Sequence, residues 1–123
     1  VERIGFGKNL GFGPALNRAV ARFGAGPVVL LNDDAVARPD FIEALMSERG
    51  AQMTAADPMG PTGGAALYER AAFESAGGFD ERMFLCYEDL DLALRIRALG
   101  GECRLAGTAR ATHGYSETLG PRS

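Results

Sequence analysis

At 123 residues the chain suits one domain, able to bury roughly two-thirds of the surface its unfolded form exposes. Apolar residues make up 46% and charged residues 24%, and the net charge of −3 excludes the basic surface expected of a nucleic-acid binder. No apolar run approaches the ~20 residues of a membrane span, and no signal peptide opens the chain.

In chain order, Val1–Ile4 ("VERI") is expected to be the tail of a strand already under way. A helix is predicted from Gly13 to Phe23, with Pro14 at its first position, Leu16, Ala19, Val20 and Phe23 at helical spacing, and Gly24 as its stop. "PVVLL" is a continuous valine-rich run, the pattern of a strand buried on both faces of a parallel sheet. A second amphipathic helix follows in "PDFIEALMSER", between Pro39 and Gly50. "GAQMTAADPMGPTGG" is aperiodic and reads as loop, "AALYE" as a strand, and "RAAFESAG" as a short helix ending at Gly77. The clearest helix is "EDLDLALRIRALGG", acidic in its first turn, basic late, with Leu92, Ile96 and Leu99 on one face. "ECRLA" and "ARATH" read as two closing strands. Alternating strands and helices predict an α/β fold, an α/β/α sandwich around a mostly parallel sheet. Glycine, at 17 residues, clusters between these elements, as tight turns and close backbone approach to a ligand require.

Ligands of such sheets sit at the carboxyl ends of the strands. "VVLL" delivers Asn32, Asp33 and Asp34 there, two adjacent acids that repel unless a cation, a base or solvent offsets them. Their commoner role is to cap the following turn. The functional role is as oxygen ligands of Mg²⁺ or Mn²⁺, bridged to the phosphates of a nucleotide. Glu88, Asp89 and Asp91 form a second acidic group at a helix N-terminus, where the macrodipole favours carboxylates. Capping explains them too. A carboxylate held ionised there also suits a general base that takes the proton of an attacking hydroxyl. Asp80, in "GGFDERMF", adds an acid to a neighbouring turn. The lone histidine, His113, is either a satisfied surface residue or a further metal ligand. Cys86 and Cys103 have no metal-type spacing and read as buried thiols of a reducing compartment, which predicts a cytoplasmic location, including the inner face of the membrane.

The order "NLGFGPALN", "VVLLNDDAVARPDFI", "GGAALYERAAFESAGGFDERMFLCYEDLDLALRIRALG" and "ATHGYS" resembles the family 2 glycosyltransferases of GT-A fold, most closely their rhamnosyltransferase-like branch. The resemblance runs from Arg3 to Ser116 and makes residues 1–123 a single, partial catalytic domain. It implies inverting transfer of a sugar, rhamnose among the candidates, from a nucleotide-sugar donor to a glycan or lipid-linked acceptor hydroxyl in cell-surface polysaccharide or glycan synthesis. Asn32, Asp33 and Asp34 stand at the family's DXD-like motif, which implies Asp34 as the main ligand of a divalent metal (Mg or Mn) and Asn32 and Asp33 nearer the ribose and phosphates. Asn9, Gly11 and Asn17 match the element beside the nucleotide, and Gly64 falls near the donor sugar. Glu88 and Asp89 match the ED motif, with Asp89 as catalytic base, and His113 matches a histidine that helps hold the metal and diphosphate.

Two departures from the family bear on donor binding. Its usual first strand, base-gripping turn and helix do not appear ahead of Val1, and the stretch between "FIEALM" and "GGAALY" is short. An exposed sheet edge and self-association are therefore expected. Two other readings stand beside transfer: a non-catalytic sugar-nucleotide-binding module or inactive fragment, and a nucleotidyltransferase, for which Lys8 is the one basic residue in the glycine-rich opening.

Overall fold

The computed structural model describes residues 3–32, 35–57, 65–83 and 88–113, with Asp57, Glu88, Thr112 and His113 described by main chain alone. Among these residues the elements run α1 (Phe12–Arg22), β1 (Val28–Leu31), β2 (Ala35–Ala37), α2 (Phe41–Glu48), β3 (Met53–Asp57), β4 (Ala65–Tyr68), α3 (Arg70–Ser75), α4 (Glu88–Ala98) and β5 (Cys103–His113). The five strands form one mixed sheet in the order β1-β4-β3-β5-β2. Helices cover both faces, so the α/β class and the layering match the expectation.

The pairing does not. Only β3–β5 is parallel; β1–β4, β4–β3 and β2–β5 are antiparallel. The sheet is thus mostly antiparallel, although β1, β3 and β5 all point the same way. The reason is β4, which enters between β1 and β3 and reverses the local direction. β1 is consequently an edge strand among the described residues, and Val28 and Leu30 are buried while Leu31 is 46% exposed. A continuous apolar run had suggested a strand covered on both faces, but the strands that fit that description are β3 and β4.

β3 is the largest departure from the sequence reading, since its segment reads as loop. Met53, Thr54, Ala55 and Ala56 are all buried at the sheet's centre. Alternate residues face opposite layers. Val28, Leu30, Met53, Ala55, Ala66 and Tyr68 meet α1, α3 and α4 through Val20, Phe73, Leu92, Ala93 and Ile96. Ala56, Ala65, Leu67, Ala106, Ala109 and Ala111 meet α2 through Phe41, Ala44 and Leu45. The two closing strands are one, β5, interrupted by an irregularity: Ala56 pairs with Ala106 and Asp57 with Arg110. Glu48, at the end of α2, seats this bulge by accepting hydrogen bonds from the Thr108 N–H (2.9 Å) and hydroxyl. Those bonds hold its carboxyl below the usual range.

Smaller differences have local causes. Arg3 and Ile4 form no strand. α1 starts at Phe12, two residues before Pro14, because Gly11 takes a φ of 90° that reverses the chain into the helix. Its inward stripe is Phe12, Leu16 and Val20, one residue per turn. Leu99 does not join Leu92 and Ile96: α4 ends at Ala98, and Leu99 is 65% exposed as the chain turns through Gly100.

One side chain closes α1. The Arg70 guanidinium donates to the carbonyls of Val20 (3.0 Å) in the last turn, Phe23 (2.6 Å) at the cap and Gly26 (2.8 Å) beyond it, satisfying acceptors at the helix C-terminus. Arg70→Ala is expected to cost about 2–3 kcal/mol of stability by urea denaturation, and Arg70→Lys to recover little, because an ammonium cannot span three separated carbonyls.

Candidate functional site

The topology gathers the expected site segments at one edge of the sheet. β1 and β3 finish there, and β4 begins there, with Leu31 paired to Ala65. β2 and β5 meet at the same side, with Ala35 paired to the main chain of His113. Because α1 leads directly into β1 and α4 into β5, both helices run back against those strands.

Asn32 is half-buried just past β1, and its carbonyl accepts the Ala35 N–H at 3.0 Å. Asp33, Asp34 and Gly64 themselves lie outside the described residues, as does Cys86. The side chains of Glu88 and His113 are likewise outside what is described. Among the described residues no three His, Cys, Asp or Glu side chains cluster as metal ligands.

Asn9 and Asn17 are engaged within the protein. Asn9 Oδ1 accepts the Gly11 N–H at 2.9 Å and shapes the turn into α1. Asn17 Nδ2 donates to the Phe79 carbonyl and to Glu81 Oε2, and its Oδ1 accepts the Phe79 N–H, each at 2.9 Å. An amide offers two donors and one carbonyl oxygen, so these three bonds commit both ends of the Asn17 carboxamide to the turn after α3. That turn needs its glycines. Gly77 and Gly78 have φ of 87° and 70°, and a Cβ on Gly78 would stand 2.5 Å from Asn17 Oδ1. Asn17 is a latch between α1 and the turn after α3.

The latch is backed by packed rings. Phe79 meets Phe12 edge-on at 5.2 Å and Phe73 at 5.6 Å, and Tyr68 completes the cluster at 5.9 Å from Phe73 and 6.3 Å from Phe79. Beside it, Asp80 pairs with Arg82 at 2.9 Å, and Asp91 with Arg95 at 2.8 Å one turn into α4. Arg95 also donates to the Ala76 carbonyl at 2.5 Å, tying α4 to the end of α3. Asp89 is half-buried in the first turn of α4, where its Oδ1 accepts the Leu90 N–H at 2.7 Å. Cys103 is a half-buried free thiol that donates to the Ala93 carbonyl at 3.8 Å, and burial raises its pKa. No helix among the described residues is long and apolar enough to cross a membrane.

No family model matches the chain, and no curated protein matches it.

The Asp80 carboxyl is pushed down to about 2, first by the Arg82 side chain and then by the Arg82 N–H. Its folded-state value lies below the ordinary one of ~3.9, so its contribution is complete above that value and lost as pH falls through 2. Amide shifts of Phe79–Met83 are therefore expected to hold to about pH 4 and to change together below it. Asp80→Asn should remove that transition.

Proposed function

We propose that the chain is a catalytic domain of GT-A type that transfers a sugar, with inversion, from a nucleoside-diphosphate donor to an acceptor hydroxyl. The observation that supports this reading is that β1, β3 and β5 finish at one edge of the sheet, with Asn32 just past β1 and the β2–β5 pairing beside it. The reading sets Asp33, Asp34 and Asp89 at that edge, where an α/β sheet ordinarily binds its ligand. Gly11 leaves the N-terminus of α1 without a side-chain cap at that same edge, which suits an anionic phosphate.

The donor set suits a divalent metal. Asp34, with Asn32 and Asp33 beside it, supplies hard oxygen ligands, and the β2–β5 register brings position 113 to the residue that follows Asp34. Such a metal, when bound, neutralises charge that develops on the leaving diphosphate. Asp89 takes the proton from the acceptor hydroxyl as that oxygen attacks the anomeric carbon. The diphosphate leaves from the opposite face, so configuration inverts. The N-terminal dipole of α4 favours an ionised carboxylate at Asp89, which a base requires. Asn17 acts at one remove, by fixing the turn that delivers α4. The exposed edge of β1, beside a groove of about 300 Å³ that includes Leu16, Phe23 and Val28, is the surface we assign to self-association.

A second reading, a sugar-nucleotide-binding module without turnover, draws on one observation: the Asn17 amide is spent inside the protein. Calorimetry with Mn²⁺ and nucleoside diphosphates, beside a donor-hydrolysis assay, separates the two. Metal-dependent nucleotide binding is expected. Asp34→Ala should weaken it at least ~10-fold, the loss of about 1.4 kcal/mol. Asp89→Asn should keep it while turnover falls by ~10²-fold or more. Normal turnover in Asp89→Asn would refute the assigned base, and binding without turnover in the wild type would favour the module.

A further inference from the structure

α4 carries more apolar surface than its core contacts use. Leu92, Ala93 and Ile96 are buried against the sheet, and that single stripe is what a surface helix ordinarily needs. Leu90 and Leu94 form a second stripe, 42% and 55% exposed and one turn apart, which Arg97 continues at the next turn. The sheet supplies the facing wall. Ala106 belongs to the α2 side, so Leu105 stands on the α4 side, 53% exposed and two residues from the half-buried Cys103. Between helix and strand lies a groove of about 250 Å³, lined by Leu90, Leu94, Leu105 and Cys103, and by Ala55, the β3 partner of Leu105. A grouping of exposed leucines around a groove is the kind of surface that receives an apolar ligand.

Size and charge select the occupant. At the ~30 Å³ of a water-sized group the groove holds about eight such groups. That is room for one short hydrocarbon chain, and not for a helix ~10 Å across. Arg97 borders the groove, is exposed, and has no ion-pair partner among the described residues, so it is available to an anion. Arg104, which also borders it, is already paired with Glu102 at 3.2 Å. The other end of the groove starts at Leu90, whose N–H donates to the Asp89 carboxylate at 2.7 Å. From Asp89 to Arg97 the helix rises about 12 Å. We propose that this groove is the acceptor subsite and takes a single-chain anionic amphiphile: its hydrocarbon tail lies along Leu90, Leu94 and Leu105, its anionic group meets Arg97, and its hydroxyl lies at the Asp89 end. The word acceptor rests on the transferase reading; the amphiphile site rests on the groove itself.

The test uses the full chain without donor, and sodium octanoate well below its micelle concentration as the probe. Methyl NMR is expected to show saturable shifts of Leu90, Leu94 and Leu105 together, at about millimolar octanoate or less. Leu94→Gln combined with Leu105→Gln, both at exposed positions, should weaken octanoate ~10-fold or more with the melting temperature and Mn²⁺-dependent nucleotide binding unchanged. Arg97→Gln should weaken octanoate about two- to fivefold, the scale of an exposed ion pair, and leave the uncharged 1-octanol where it was. Absence of the leucine shifts, or an equal loss of octanol binding in Arg97→Gln, would overturn the proposal. A dimer in sedimentation that the double leucine substitution dissociates would assign the face to a second copy and overturn it too. So would leucine-dependent binding to phosphatidylglycerol vesicles without any octanoate shifts, which would assign the face to a bilayer. Octanoate binding in a chain that takes no nucleoside diphosphate with metal would strike the transferase reading and leave the amphiphile site standing; nucleotide binding without octanoate binding would do the reverse.

Discussion

The arrangement depends on one carboxamide. Asn17 reaches across 62 residues of sequence to both the N–H and the carbonyl of Phe79, a two-point bond that fixes the turn in position and orientation together. Few side chains can do this, since the task needs a donor and an acceptor in one plane at the end of a short stem. Aspartate would meet the Phe79 carbonyl with a second acceptor, and serine is too short to bridge both groups. The bond also dictates Gly78, because a Cβ there would occupy the space of the Asn17 oxygen. What is held this way is the turn after α3, from Gly78 to Glu81.

A second constraint works through size. The sheet presents Ala55, Ala56, Ala65, Ala66, Ala106, Ala109 and Ala111 to its covering helices, all buried. Alanine gives a flat surface on which helices can lie close, so bulk must come from the covering layers. On one face it comes from Phe73, Phe79, Leu92 and Ile96, and on the other from Phe41 and Leu45. Tyr68 is the exception, a large ring rising from the sheet itself, and the aromatic cluster forms around it.

That choice of residues governs what the sequence could disclose. The helices were legible because amphipathic spacing and terminal glycines mark them, and α2, α3 and α4 stand close to where periodicity put them. β4 was legible from "AALY". β3 was not: "MTAAD" has Thr54 as its single β-branched residue and no aromatic one, and glycines and prolines follow it closely. Its strand character comes from neighbours on both sides, a tertiary effect invisible locally. The direction of the sheet was hidden for the same reason. Regular alternation of strands and helices suggested parallel pairing, but β4 follows β3 with no element between them among the described residues, and the two pair antiparallel. At the site, the residues that mark the acidic turns were legible. The task of Asn17 was not, because a hydrogen bond to a backbone 62 residues away leaves no pattern near either end.

The site therefore divides into parts made by different physics. Asp89 and Asp91 lie in the first turn of α4, where free backbone N–H groups and solvent tolerate charge. The residues that aim them lie in the packed interior, where rings and a neutral amide hold without themselves titrating in the physiological range. Asp80 and Asp91 are neutralised by their own arginines, which removes two like charges from the surroundings of Asp89. Reorienting Asp89 would need movement of α4, and α4 is joined to the end of α3 by Arg95 and to the sheet by Leu92, Ala93 and Ile96. A carboxylate fixed by such a frame loses little orientational freedom on meeting a substrate, which is the condition for a base that acts only on a hydroxyl presented from one direction.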